Sequence, residues 1–442
     1  MSLSTKDLQK SLGKKELFSI AAGQIIGAGI MALTGIAIAM TGRSANISFI
    51  LAAIAVIFIS IPIIYLSSTV RMRGGQYTQA AKFISQKFAG MYIIIFIVAN
   101  ISIAMYALSF AEYFIALVPG IPTKLIASIL VTIIFVVNFF GVGKAAKLQT
   151  AMVVILAASL AAFVGFGIFE IQPGYFKQPG FMTGGVGGLL TAMALLTFAT
   201  GGAINIVNLS AEAKNPKKDI PFVIIVSTLV IAVVYAFMAT VAAGVLPIEE
   251  VANQPLTLVA KAIFPSWLYV FFVVGGAMFA LVTTLNAQVS WITKPIMQAC
   301  VDNWFPKSLA ELHPKYNTPY KLLIIYYVVG MVPIITGFNI EQIANSALIM
   351  NYIALLLLSI GTFRLPKLYP ELWKKSPYYV ENGMFYLLNG IGVLVLLVQM
   401  LLMVANLDQI ALIGNGVILV IAILFGIIRN KKVTMEISIE EE

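Results

Sequence analysis

Few residues in this 442-residue chain can do bond-making chemistry. It has one cysteine, Cys300, and one histidine, His313. That count excludes an intramolecular disulfide and a histidine-based zinc or haem site. There is no Cys/His nucleophile pair, no serine elbow and no pair of acids within one apolar stretch, so the sequence reads as no enzyme and calls for no catalytic cofactor. Two glycine-rich interruptions of apolar stretches offer more: Ala22-Gly23-Gln24-Ile25-Ile26-Gly27-Ala28-Gly29-Ile30 and Phe198-Ala199-Thr200-Gly201-Gly202-Ala203. One glycine in an apolar helix is explained by close helix approach. Three in seven residues beside Gln24, with a matching break further on, are a pointer to a transporter binding site. Unwound backbone frees N–H and C=O groups, each costing several kcal/mol in hydrocarbon unless something satisfies it. Half-helix amino ends attract anions and carboxyl ends attract cations, which suits a zwitterion such as an α-amino acid. The candidate substrate contacts are Ile26, Gly27, Ala28 and Gly29 at the first break and Phe198, Ala199, Thr200, Gly201, Gly202 and Ala203 at the second. Asn205, just past the second, joins them, with Tyr106 as an aromatic gate.

The elements that must position these residues are membrane spans. Hydrophobic residues make up 60% of the chain and charged residues 10%, against about 25% charged in soluble domains. Apolar stretches long enough to cross a bilayer core lie near 17–40, 46–70, 90–118, 125–141, 148–169, 185–209, 221–245, 267–292, 321–338, 342–363, 384–405 and 410–428. The first is too long for the core of a cleavable signal and reads as the first span. Twelve spans place both termini on one side. With the termini in the cytoplasm, every Lys and Arg except Arg43, Lys124, Lys177 and Lys261 is cytoplasmic, as the positive-inside rule requires. The formal charge of +10 is therefore a topology signal with some attraction to anionic lipid, and not a nucleic-acid footprint. A multi-pass protein of the cell membrane is expected, with lipid around it; no residue pattern identifies a partner subunit.

Four motifs resemble the amino acid-polyamine-organocation (APC) superfamily of permeases. Gly23 to Ile30 resembles its G-x-I-I-G-x-G-I, and Gly74-Gly75-Gln76-Tyr77 its G-G-x-Y. Ala211-Glu212-Ala213-Lys214-Asn215-Pro216-Lys217-Lys218-Asp219-Ile220-Pro221 is similar to A-E-E-x-K-N-P-x-R-x-I-P, and Asp302-Asn303-Trp304-Phe305-Pro306 with Thr318-Pro319 to D-G-x-x-P and T-P. The resemblance implies an all-α integral membrane protein of LeuT-type fold, a single transporter domain over 1–442. Twelve transmembrane helices would form two inverted five-helix repeats, 17–169 and 185–363, with helices 1 and 6 discontinuous and two additional helices over 384–428. The chain departs from the family at Ala203 and Ile204, where an aromatic and often an acid or amide are usual, at Ala213, and at Ser290-Trp291 in place of Ser-Arg.

A further departure bears on coupling. Many cation-independent members carry a lysine seven residues after a Gln in helix five, and counting from Gln149 reaches Leu156. Helix eight reads Ala280-Leu281-Val282-Thr283-Thr284, resembling sodium-coupled transporters of this fold. Carbonyls of Gly23, Ile26 and Ala280 with the hydroxyls of Thr283 and Thr284 would then hold Na+, as hard oxygen ligands suit an alkali cation. The plain alternative is that both threonines bond back to the preceding turn. A proton relay needs a titratable group at bilayer depth, and Glu112 is the one candidate; Lys147 reads as a snorkelling anchor. Asn208, Asn286, Gln288, Asn345, Ser346 and Asn351 read as helix-bridging polar residues, and Arg73 with Glu212 either as a charge latch at the inner gate or as solvated loop charges. The expectation is a secondary active transporter importing a neutral amino acid by alternating access, with sodium coupling favoured. A proton-coupled symporter or exchanger is the alternative, and a channel or sensor on a transporter scaffold the alternative of another class.

Overall fold

Helix α1 (Lys14–Ile25) begins after Gly13, whose N–H donates to the Glu16 carboxylate at 2.9 Å. The chain is extended at Gly27, and α2 (Ala28–Thr41) then resumes the same apolar stretch. In this computed structural model the described residues are 8, 10–177, 180–337, 340–405, 409–435 and 439–440. Among residues singled out above, the side chains of Ala28, Asn345 and Ser346 lie outside that description. Helix α3 (Ala45–Thr69) is uninterrupted despite Pro62 and leads to Arg71–Met72, which pairs antiparallel with Ile439–Glu440. A short α4 (Gln76–Gln79) widens into a π turn over Ala80–Ile84.

The stretch expected as one span over 90–118 is divided. Helix α5 (Gln86–Ala99) ends at Asn100, whose amide donates back to the Phe96 carbonyl at 2.7 Å, and α6 (Ser102–Leu117) follows. Helices α7 (Thr123–Phe139) and α8 (Val142–Gly167) complete the first half. Helix α9 (Gly185–Thr200) stops at Gly201-Gly202 and gives way to a 3-10 helix over Ala203–Leu209. Pro216 opens α10 (Pro216–Val245), where its missing N–H is harmless. The short α11 (Ile248–Val251) and α12 (Leu256–Ile263) precede α13 (Ser266–Phe271), which passes through a π segment at Phe272–Met278 into α14 (Phe279–Val301). Next come α15 (Tyr320–Thr336), α16 (Ile340–Thr362) and the short α17 (Leu365–Leu368) and α18 (Pro370–Lys374). Helices α19 (Asn382–Ala405) and α20 (Gln409–Arg429) follow.

Eight helical stretches among the described residues are long and apolar enough to cross a membrane, and Thr123–Phe139, Tyr320–Thr336 and Ile349–Thr362 are shorter apolar helices. Helices α1 and α2 lie inside: α1 packs on α8, α10 and α14, and α2 on α9. Helix α20 lies against α5, with Ile413, Val417, Val420, Ile421, Leu424 and Ile428 exposed along it. So continuous an apolar exterior suits hydrocarbon and not water. The molecule is an all-α membrane protein, and polar side chains such as Gln149, Asn208, Asn286 and Gln288 are buried among its helices.

Candidate functional site

The two interruptions cross. A side chain added at Gly29 would stand 2.8 Å from Ala199 Cα, and one at Gly202 would stand 2.9 Å from the Gln24 carbonyl oxygen. Gly202 also has φ +107°, in the region other residues avoid. The first-turn amides of α2 and the carbonyls at the ends of α1 and α9 have no partner within their own helices, so donors and acceptors converge at one crossing. Beside it lies a cavity of about 180 Å³, room for on the order of ten waters. Gly27, Gly29, Phe198, Ala199, Gly201, Gly202, Asn205 and Tyr106 line it. Ile26, Thr200 and Ala203 are buried and do not line it, and the Thr200 hydroxyl donates to the Leu196 carbonyl at 3.0 Å. Gln24, Asn100, Gln288, Trp291, Asn351 and Tyr352 also line the cavity. Gln24 Oε1 accepts from Trp291 Nε1 at 3.1 Å, so the tryptophan that departs from the family pattern closes on the first break.

The five oxygens expected to group around an ion are close together. Thr284 Oγ1 is 2.8 Å from the Gly23 carbonyl, 2.9 Å from that of Ala280 and 3.3 Å from that of Ile26, and Thr283 Oγ1 is 3.0 Å from the Ala280 carbonyl. Both hydroxyls bond back to the Ala280 carbonyl of their own helix, as the plain alternative has it, and Thr284 Oγ1, with one hydrogen to donate, also lies within reach of the Gly23 and Ile26 carbonyls at the first break. Next to them is Gln149, which in the sequence served only to locate the absent lysine. Its Nε2 donates to the Thr283 carbonyl at 3.0 Å and lies 1.7 Å from where a Gly23 Cβ would be, so a side chain there would displace the Gln149 amide. Its Oε1 accepts from Asn286 Nδ2 at 2.7 Å, and Asn286 Oδ1 accepts from Asn138 at 2.9 Å. Asn286 thus bridges helices as expected. Glu112 and Lys147 are exposed and away from the cavity.

A second polar group closes one end of the bundle. Glu212 Oε1 is 3.1 Å from Lys294 Nζ, both nearly fully buried, while Glu212 Oε2 has no partner. Burial pushes the Glu212 carboxyl above its usual range, and the Lys294 ammonium pulls against that rise. The latch expected of Arg73 and Glu212 therefore has Lys294 on the glutamate; Arg73 is itself buried. Arg71 donates to the carbonyls of Ser210, Ala211 and Ala213 at 2.9–3.1 Å. Gly75, at φ +55°, brings the Gln76 N–H within 3.0 Å of Asn208 Oδ1, and a Cβ on Gly75 would fall 2.1 Å from that oxygen. The Gly74-Gly75 turn thus docks against the segment after the second break.

Interrupted helices crossing beside an inner cavity, within a bundle whose outside is apolar, define a multi-pass membrane transporter. The chain belongs to the amino acid permease family, whose model matches residues 12–435. The likeness read from the four motifs is borne out. The chain is 26% identical over 394 residues to the branched-chain amino acid permease BcaP of Bacillus subtilis (strain 168), covering 83% of each chain. It is 25% identical over 393 residues to the methylthioribose transporter of the same organism, covering 83% of this chain and 84% of that protein. With the glutamate/serine transporter AimA, also of B. subtilis, it shares 26% identity over 388 residues, 78% of this chain and 70% of that one. It is an amino acid transporter, not an enzyme, and its substrate is a small molecule.

Proposed function

We propose that the protein is a secondary active transporter that imports a neutral amino acid by alternating access, coupled to sodium. The observation that carries the substrate class is the cavity lining, which among the described residues includes no Asp, Glu, Lys, Arg or His. A charged side chain held there would be buried without a counter-ion, which is strongly unfavourable, whereas the zwitterion can use the backbone ends at the breaks. A relative named for branched-chain amino acids supports the neutral class. The break residues that line the cavity, Gly27, Gly29, Phe198, Ala199, Gly201 and Gly202, with Asn205 and Tyr106, are the proposed substrate contacts.

Sodium coupling is supported by the three carbonyl oxygens around Thr284. Gly23, Ile26, Ala280, Thr283 and Thr284 would hold the ion, which supplies a positive charge beside the substrate carboxylate. A proton mechanism has less support, because no carboxylate or imidazole lines the cavity among the described residues. The proposed topology has twelve crossings in the cell membrane, both termini in the cytoplasm, inverted repeats over 17–169 and 185–363, and two further helices over 384–428. Uptake of a radiolabelled neutral amino acid into proteoliposomes tests the reading. Replacing sodium with choline is expected to abolish saturable uptake, and Thr284→Ala to lower the apparent sodium affinity by about tenfold or more, the loss of one good ligand contact. Uptake that persists unchanged in choline removes the sodium assignment.

A further inference from the structure

Most polar side chains around the cavity are paired with one another. The Tyr92 hydroxyl donates to Gln76 Oε1 at 3.1 Å, and Gln288 Nε2 donates to Asn100 Oδ1 at 2.8 Å and Ser102 Oγ at 2.9 Å. Gln399 on α19 differs. It is 4% exposed and lines the cavity, and neither its Nε2 nor its Oε1 has a partner. The cavity therefore extends beyond the broken helices into a chamber among α3, α5, α16 and α19, with Val56, Ile59, Phe96 and Leu358 as apolar walls. A buried amide with both ends unsatisfied is unfavourable and uncommon, and a leucine would fill the same wall without that penalty. A ligand group that completes the amide would remove it.

The chemistry of the missing partner is constrained. It must offer an acceptor to Nε2 and a donor to Oε1, which a carboxamide does and a hydrocarbon does not. A carboxylate or ammonium would arrive without a counter-ion among the described lining residues. We propose that this chamber is the subsite for the far end of the transported molecule's side chain, and that Gln399 selects a terminal carboxamide over a hydrocarbon end of similar size. The proposal rests on the reading that neutral amino acids are the substrates.

Equilibrium binding of L-glutamine, L-leucine and L-glutamate to purified full-length protein in sodium buffer is the test, with Gln399→Leu and Gln399→Met as variants. Both variants place an apolar side chain against an apolar wall, and the bound fraction of L-leucine reports whether each is folded. Wild type is expected to bind L-glutamine more tightly than L-leucine and to bind L-glutamate least. Each variant is expected to weaken L-glutamine by about tenfold or more, the effect of leaving the ligand's amide unpaired, with L-leucine binding retained or tightened. Equal weakening of both ligands, or unchanged L-glutamine binding, overturns the subsite. Wild type that binds L-leucine but not L-glutamine also overturns it while the neutral-substrate reading stands. Binding of none of the neutral amino acids removes that reading, and the subsite with it.

Discussion

At Gly202 conformation and space make the same demand. The residue has φ +107° and the Gln24 carbonyl oxygen lies 2.9 Å from where a Cβ would be. Gly202→Ala combines strain of about 1–3 kcal/mol with a displacement of the first break, so ligand-induced thermal stabilisation is expected to disappear. A ligand response equal to wild type would show that the two breaks do not act as one site. The glycines were legible in the sequence because a break is a local event written in consecutive residues. Thr283 and Thr284 were legible through the resemblance of Ala280 to Thr284 to sodium-coupled transporters, and it is the Thr284 hydroxyl that reaches the Gly23 and Ile26 carbonyls of the first break. Gln149 was not, because its contact with Gly23 joins positions that are far apart in the chain.

Between elements, the Lys294–Glu212 pair ties α14 to the segment after the 3-10 helix. Removing one partner of a buried pair leaves an uncompensated charge, at about 3–5 kcal/mol. Glu212 can relieve part of that by taking up a proton, because burial already raises its pKa above the 4.5 of the free side chain and Lys294 is the group opposing the rise. The folded state of Lys294→Met therefore binds a proton more readily than the unfolded chain, and its stability rises as pH falls through the folded-state pKa toward 4.5. Thermal unfolding is expected to show a large deficit against wild type at pH 8 and a smaller one at pH 5. Glu212→Gln combined with Lys294→Met is expected to remove that pH dependence; equal deficits at both pH values would show that the pair is not the cause. The division of the third apolar stretch at Asn100 also belongs to this scale. Apolarity there is continuous, and only Asn100's bonds to Phe96 and Gln288 distinguish two helices.

For the whole molecule, the proposed orientation predicts which surfaces meet which solution. Cys300 is buried, so a Cys300→Ala background serves for labelling. Phe176→Cys, in the connection between α8 and α9, is expected to react with an impermeant maleimide on intact cells, and Lys315→Cys, between α14 and α15, only after the membrane is opened. The reverse pattern would invert the topology. Sequence by itself determined the membrane class, the apolar stretches and the two breaks, because hydropathy and glycine runs are local properties read along the chain, and the permease family through the resemblance of four short motifs. Tertiary structure alone decided that Gln149 abuts the first break, that Lys294 pairs with Glu212, and that an unpaired Gln399 looks into the cavity. Those facts depend on which helices become neighbours, and that is set by packing among residues far apart in the chain.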